Sequence, residues 1–236
     1  MRDTLLVCRK ELAEMFAVQT GRRTQLLTMA AQVAVFGFLI PFFMAPAWIN
    51  ETPVLAFIFL LLPMALSFSQ AAAVFAGERE RRTLDSLLAT PLSMRALFFG
   101  KSLAVLAQVY GMVSASVLLS VAALTLWVRQ QDLAPVFLYS GPALFALLGL
   151  SLVVAVFATS CGVIISLRAA SVRTAQTVTT LLSVLVLLPL MFGWVRIDFS
   201  WVLMIPAALA LVIVDVAITA LALTRFGRAA SVSARG

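Results

Sequence analysis

The 236 residues contain no histidine. That absence removes a Ser-His dyad, an imidazole metal site and a histidine axial ligand for haem from this chain. Cysteine occurs twice, at Cys8 and Cys161. Two isolated cysteines make no metal-ligand motif, and both are predicted to face the reducing side as free thiols. Charge is nearly as scarce, at 11% of residues, and positions 24–77 carry one charged side chain, Glu51. No stretch is polar enough to form a soluble domain. Gly100, Lys101 and Ser102 resemble the end of a phosphate-binding loop, but that motif requires a glycine five positions earlier, where Arg95 sits, and a preceding strand. The chain therefore offers no nucleotide site, and no nucleophile–base set for an intramembrane enzyme.

What is present is hydrocarbon. Hydrophobic residues make up 63% and the mean hydropathy is +1.08, outside the range of soluble domains. Stretches without lysine or arginine run over 24–78, 102–128, 130–167, 174–195 and 197–224. A helix needs about 20 apolar residues to cross the hydrocarbon core. The first stretch holds two crossings, broken near Pro46 to Pro53. The expectation is an all-α polytopic membrane protein with one transmembrane domain over 1–236 and spans at 24–45, 54–76, 98–127, 137–166, 174–195 and 201–224. A β-barrel would alternate apolar and polar residues; "VLAFIFLLLPMALSF" does not. Backbone groups in lipid must be satisfied within the segment, so these runs are read as helices.

Basic residues set the orientation. Fifteen of the seventeen fall in the N-terminal segment, the loops after spans two and four, and the C-terminus; only Arg129 and Arg196 lie on the other side. The positive-inside rule then puts both termini in the cytoplasm. The net charge of +7 reports topology and contact with anionic lipid, not nucleic acid. The first apolar run follows a 23-residue segment with Asp3, Glu11 and Glu14, and is read as a signal anchor rather than a cleaved leader.

One segment breaks the pattern. "GERERRTLDSLLATP", residues 77–91, holds six charges within eight residues, Glu78 to Asp85. As a helix it is amphipathic. Leu84, Leu87 and Leu88 share a face, Glu78–Arg82 and Arg81–Asp85 are i, i+4 opposite-charge pairs, and Pro91 ends it. A membrane-surface helix would fit the leucines and arginines. The acidic residues Glu78, Glu80 and Asp85 fit a protein partner better than anionic lipid.

"FAGERERRTLDSLLATPLSMRALFFGK" resembles the signature of type-two ABC exporter permeases. Glu78, Glu80, Thr83, Leu84, Asp85, Leu87, Leu88, Thr90, Pro91, Gly100 and Lys101 match that pattern. Arg82 departs from it, standing where the family usually has glycine. The resemblance implies that 78–91 is a coupling helix docking on a separate ATPase subunit. Leu84, Leu87 and Leu88 would be its buried anchors; Glu78, Arg79, Glu80 and Asp85 would form the polar rim. ATP and magnesium would sit on that partner, with no cofactor bound by this chain. The family also implies a second permease, identical or related, in the bacterial cytoplasmic (inner) membrane. The charged segment looks closer to the general exporter pattern than to haem-export permeases, which share the six-span layout.

Two further features bear on mechanism. "DTLLVCRKELAEMF" is predicted to lie in the cytoplasmic interface as an elbow helix over 1–23, with Leu5, Cys8, Leu12, Met15 and Phe16 toward lipid and Arg9, Lys10, Glu11 and Glu14 opposite. Polar residues within the spans, Ser67, Gln70, Gln108, Gln176, Thr180 and Asp215, are candidates for a translocation path. Asp215 is expected to face the bundle and bond to Ser, Thr, Gln or Tyr, because an ionisable group in a span is costly. Thr179 and Ser183 extend the stripe on span five. Ser151, Ala155 and Thr159 on span four, and Gly111 with Ala115 on span three, are small-residue ridges for close packing, within the subunit or between two permeases. Pro189 and Gly193 suggest a helix broken near the outer end of span five. An ion-coupled transporter working alone would carry several membrane-embedded charges and internal repeats; the sequence has one such acid and no clear repeat.

Overall fold

The structure is a computed structural model that describes residues 2–17, 22–50, 54–80, 93–133, 136–169, 171–194 and 200–233. Every regular element among them is helical. Helix α1 covers Arg2–Ala17. Span one comprises α2 (Arg22–Ala34), a π-helical stretch Val35–Leu39 and α3 (Ile40–Phe43), followed by the short α4 (Ala45–Ile49). Next come α5 (Val54–Glu80) and α6 (Met94–Gln130). Span four is α7 (Gly141–Leu144), a second π-helical stretch Phe145–Leu150 and α8 (Ser151–Ser166). The chain ends with α9 (Val172–Trp194) and α10 (Trp201–Ser233).

Among the described residues, five helical segments are long and apolar enough to cross a membrane: Leu26–Phe43, Leu60–Gly77, Met94–Gln130, Gly141–Ser166 and Trp201–Gly227. Helix α9 has 23 residues, and its side chains over 186–194 lie outside the described ones. Several predicted ends shift. Helix α6 begins at Met94, capped by the Ser93 hydroxyl accepting from the Ala96 N–H at 3.2 Å. Span four starts at Gly141 rather than 137, because Ser140 caps it and Pro142 occupies its first turn. Helix α9 continues unbroken through Pro189 to Trp194, which corrects the expected break. Proline removes one backbone donor, and this late in the helix the loss does not interrupt the remaining turns.

The C-terminal end of α6 closes with a Schellman arrangement. Leu133 N–H reaches Val128 O at 3.1 Å and Asp132 N–H reaches Arg129 O at 3.2 Å. Asp132 takes the left-handed position at φ 53° that glycine usually fills.

Helix α5 is the hub, packing on α8, α9 and α6, while α10 packs on α8. Lipid tails are as apolar as leucine, so close fit rather than water exclusion holds these helices together. Small residues mark the contacts. A Cβ on Gly162 of α8 would lie 2.9 Å from Ala71 Cβ of α5. On Gly37, inside the first π-helical stretch, it would lie 2.8 Å from both Cα and O of Ser116 on α6. Ser151, Ala155 and Thr159 are all buried, as their ridge predicted. Gly111 and Ala115 are exposed, and a Cβ on Gly111 meets nothing within 4 Å, so that ridge takes no part in packing among the described residues.

These glycines give a paired test. Gly37→Ala pushes a methyl into α6 backbone that cannot yield, so it should destabilise by about 1–3 kcal/mol, as overpacked sites do. Gly111→Ala should leave the thermal unfolding midpoint in nanodiscs unchanged or slightly higher, since alanine favours helix.

Candidate functional site

The segment read as a coupling helix begins as the last turn of another element. The backbone of Glu78, Arg79 and Glu80 continues α5 without a break. Thr83, Leu84, Asp85, Leu87, Leu88 and Pro91 lie outside the described residues. Span three starts immediately beyond them, at Ser93 and Met94.

Helix α1 docks on that start of α6. The Lys101 ammonium donates to Glu11 Oε1 at 2.7 Å, with the Lys101 side chain fully buried and that of Glu11 10% exposed. One residue earlier, Gly100 admits Val7. A Cβ there would lie 2.6 Å from Val7 Cβ and 3.0 Å from the Thr4 carbonyl. The expected face of α1 is corrected at Cys8 and Glu11. Val7, Cys8 and Glu11 are buried, whereas Leu5 is 62% exposed and Leu6 is exposed beside it. Glu11 can leave water because a charged, hydrogen-bonded partner meets it. Burial, with Glu11 adding, pushes the Cys8 thiol above its ordinary value. Beside this joint Phe75, Phe98 and Phe226 join α5, α6 and α10 through ring centroids 5.8–6.3 Å apart. Aromatic pairs of this geometry add about 0.5–1.5 kcal/mol each beyond burial.

The six polar residues proposed for a path are not gathered into one cavity. Ser67, Gln108 and Asp215 are buried, and Ser67 Oγ, Gln108 Oε1 and Asp215 Oδ1 have no hydrogen-bond partner among the described residues. Gln108 Nε2 donates weakly to Met29 Sδ at 3.7 Å. Gln70 and Gln176 are half-buried and Thr180 is exposed. Gln176 Nε2 donates to Ser69 Oγ at 3.5 Å, a long contact between α9 and α5. Thr179 and Ser183 are buried but spend their hydroxyls on carbonyls of their own helix. Near Asp215, Ser160 of α8 and Thr219 of α10 bond each other at 2.9 Å. The partner expected for the acid is thus absent from Oδ1 among the described residues.

A different polar group stands in the opposite half. Trp48 Nε1 donates to Tyr139 OH at 2.7 Å, Tyr139 OH and Ser120 Oγ are 2.6 Å apart, and Ser120 donates to the Val117 carbonyl at 2.7 Å. An indole N–H only donates and a carbonyl only accepts, so the tyrosine proton points at Ser120. The chain ties α4, the 137–140 stretch and α6 together. It borders a cavity of about 20 Å³, room for one water, lined by Phe36, Trp48, Leu62, Val113, Ser116, Val117, Ser120 and Leu147. Phe36 and Leu147 come from the two π-helical stretches. None of the six proposed residues lines it.

The family model for ABC-2 family transporter protein matches residues 9–197, from the second half of α1 beyond the end of α9. The chain belongs to the ABC-2 transporter family. No curated protein matches it. The match takes in Glu11, the charged segment 77–91, Gly100 and Lys101; Asp215 lies beyond it.

In this ABC-2 permease the Gly100-Lys101 pair is a helix-docking device. Its glycine lies inside α6, not in a loop, and its lysine is engaged by Glu11. Sequence reasoning marked Lys101 as part of a motif and missed Glu11, 90 positions away. A glutamate on a basic amphipathic helix carries no signal of its own; only a lone lysine inside an apolar run pointed to a missing acid. Trp48, Tyr139 and Ser120 were also missed, and nothing in their local sequence joins them.

Proposed function

We propose that this ABC-2 permease is the membrane-spanning subunit of an ATP-driven exporter, docking a separate ATPase through residues 78–91. The family match over residues 9–197 carries the reading, because it spans the charged segment and its flanking helices. In this reading α9 completes six crossings with both termini in the cytoplasm of a bacterial inner membrane. ATP and magnesium belong to the ATPase. Closure of that motor displaces the coupling segment, and the displacement enters the bundle directly because α6 starts at Met94. Buried Ser67, Gln108 and Asp215, with oxygens lacking partners among the described residues, support a path through the bundle with Gln70, Gln176 and Thr180. The exposed small face at Ala107, Gly111 and Ala115 suits close approach of a second permease, identical or related.

Copurification from native membranes tests this. An ATPase subunit of near-equal stoichiometry is expected with the native chain and is expected to be lost from Leu84→Asp/Leu87→Asp, since buried apolar anchors dominate such interfaces. Retention by the variant would remove the coupling role of 78–91. Asp215 favours a second reading, an ion-coupled transporter working alone, and the absence of any ATPase would support it.

A further inference from the structure

Two separate features fasten α1 to the cytoplasmic end of α6. One is the ion pair of Glu11 with the fully buried Lys101 at 2.7 Å. The other is the close approach of Val7 and Thr4 to Gly100, which any side chain there would prevent. A helix resting only in the lipid interface requires neither. It would keep Glu11 in water rather than bury it against Lys101. The attachment point also has a position of consequence. Lys101 is eight residues after Ser93, where residues 81–92 feed into α6. The phenylalanine cluster at Phe75, Phe98 and Phe226 holds the same stretch of α6 against α5 and α10.

We propose that Glu11 and Lys101 form a positioning joint that makes α1 and the cytoplasmic end of span three one rigid lever. Displacement of residues 81–92 then moves α1 together with span three, carrying the exposed face of Leu5, Leu6, Arg9 and Lys10 with it. The use of this lever in transport rests on the coupling role proposed above; the joint itself does not. Conversion of a local push into a joint movement of two helices requires that they not part, and an ion pair closed off from water enforces that better than apolar contact with interchangeable lipid.

Cys8 reports on the joint, because it is buried between Val7 and Glu11 on the docked face. The experiment measures N-ethylmaleimide labelling of Cys8 in nanodiscs, with Cys161→Ser removing the other thiol. Slow labelling is expected in the otherwise native chain. Lys101→Met should speed it by more than about tenfold, since breaking a buried pair is strongly destabilising. Glu11→Lys/Lys101→Glu should return it toward the native rate. Should Lys101→Met fail to reach the membrane, Gly100→Ala carries the same test, with its methyl 2.6 Å from Val7 Cβ. In the complex with its ATPase, the native rate should be the same without nucleotide and with ATP and vanadate. A native rate equal to that of an open thiol, or no acceleration in the variants, would overturn the joint. A nucleotide-dependent change would overturn the rigid lever. If no ATPase copurifies, the coupling role fails, while labelling of the isolated chain still decides whether α1 is clamped.

Discussion

Lys101→Met is expected to destabilise the protein by about 3–5 kcal/mol, because it leaves the Glu11 carboxylate buried without its cation. The sign of this effect follows from where the groups lie. Glu11 as a whole is 7% exposed, so water cannot replace the ammonium without prying α1 from α6. The pair itself need not be stabilising, since taking two charges out of water offsets much of their attraction. Glu11→Met/Lys101→Met, which fills the same space with apolar groups, should therefore recover most of the loss. Thermal unfolding of the four proteins of this cycle in nanodiscs checks it. A double variant as unstable as Lys101→Met would mean that the polar contact, not the fit of α1 on Gly100, holds the helices together. Equal stability of native chain and Lys101→Met would mean that Glu11 reaches water and the joint is loose.

The layout of helices was legible because bilayer thickness leaves few choices. An apolar run long enough to cross must be a helix, and Val54–Glu80 or Trp201–Ser233 differ from the expected spans mainly by running on past their C-terminal ends. Helix ends were less legible, since they depend on caps such as Ser93 and Ser140, single side chains among many serines. Neither π-helical stretch leaves a mark in composition. The first coincides with Gly37, whose meaning appears only when Ser116, 79 positions later, lies against it. The facing of α1 failed for a related reason. An amphipathic reading ranks residues by apolarity and turns Cys8 to lipid and Glu11 away from it, but Gly100 and Lys101 on another helix draw in Val7, Cys8 and Glu11.

The candidate site was legible only as a stretch of chain. The charge cluster and leucine spacing set residues 78–91 apart in the sequence, and the family match covers them. Within the spans, polar residue type did not reveal its use. Thr179 and Ser183 looked equivalent to Ser67, yet the first two satisfy their hydroxyls on their own helix and Ser67 does not. A one-dimensional pattern shows which positions share a face, not which neighbour accepts a hydrogen bond.

Asp215 separates stability from function most sharply. A carboxyl group in a span opposes insertion by about 2.5–3.5 kcal/mol, and here Oδ1 recovers no hydrogen bond from the described residues. Asp215→Leu is expected to raise the unfolding midpoint, and Asp215→Asn to raise it less, because an amide still brings a polar group into the interior. Retention of such a group is what a path requires: an uncompensated acceptor available to a cargo or ion passing between α8 and α10. The same variants are therefore expected to lose the cargo-dependent part of ATP hydrolysis in the purified complex while keeping the ATPase bound. Loss of stability on replacement would show that Asp215 serves as an interhelical tie. A gain in stability with hydrolysis unchanged would remove it from the path, leaving Ser67 and Gln108 as the buried groups still to be tested.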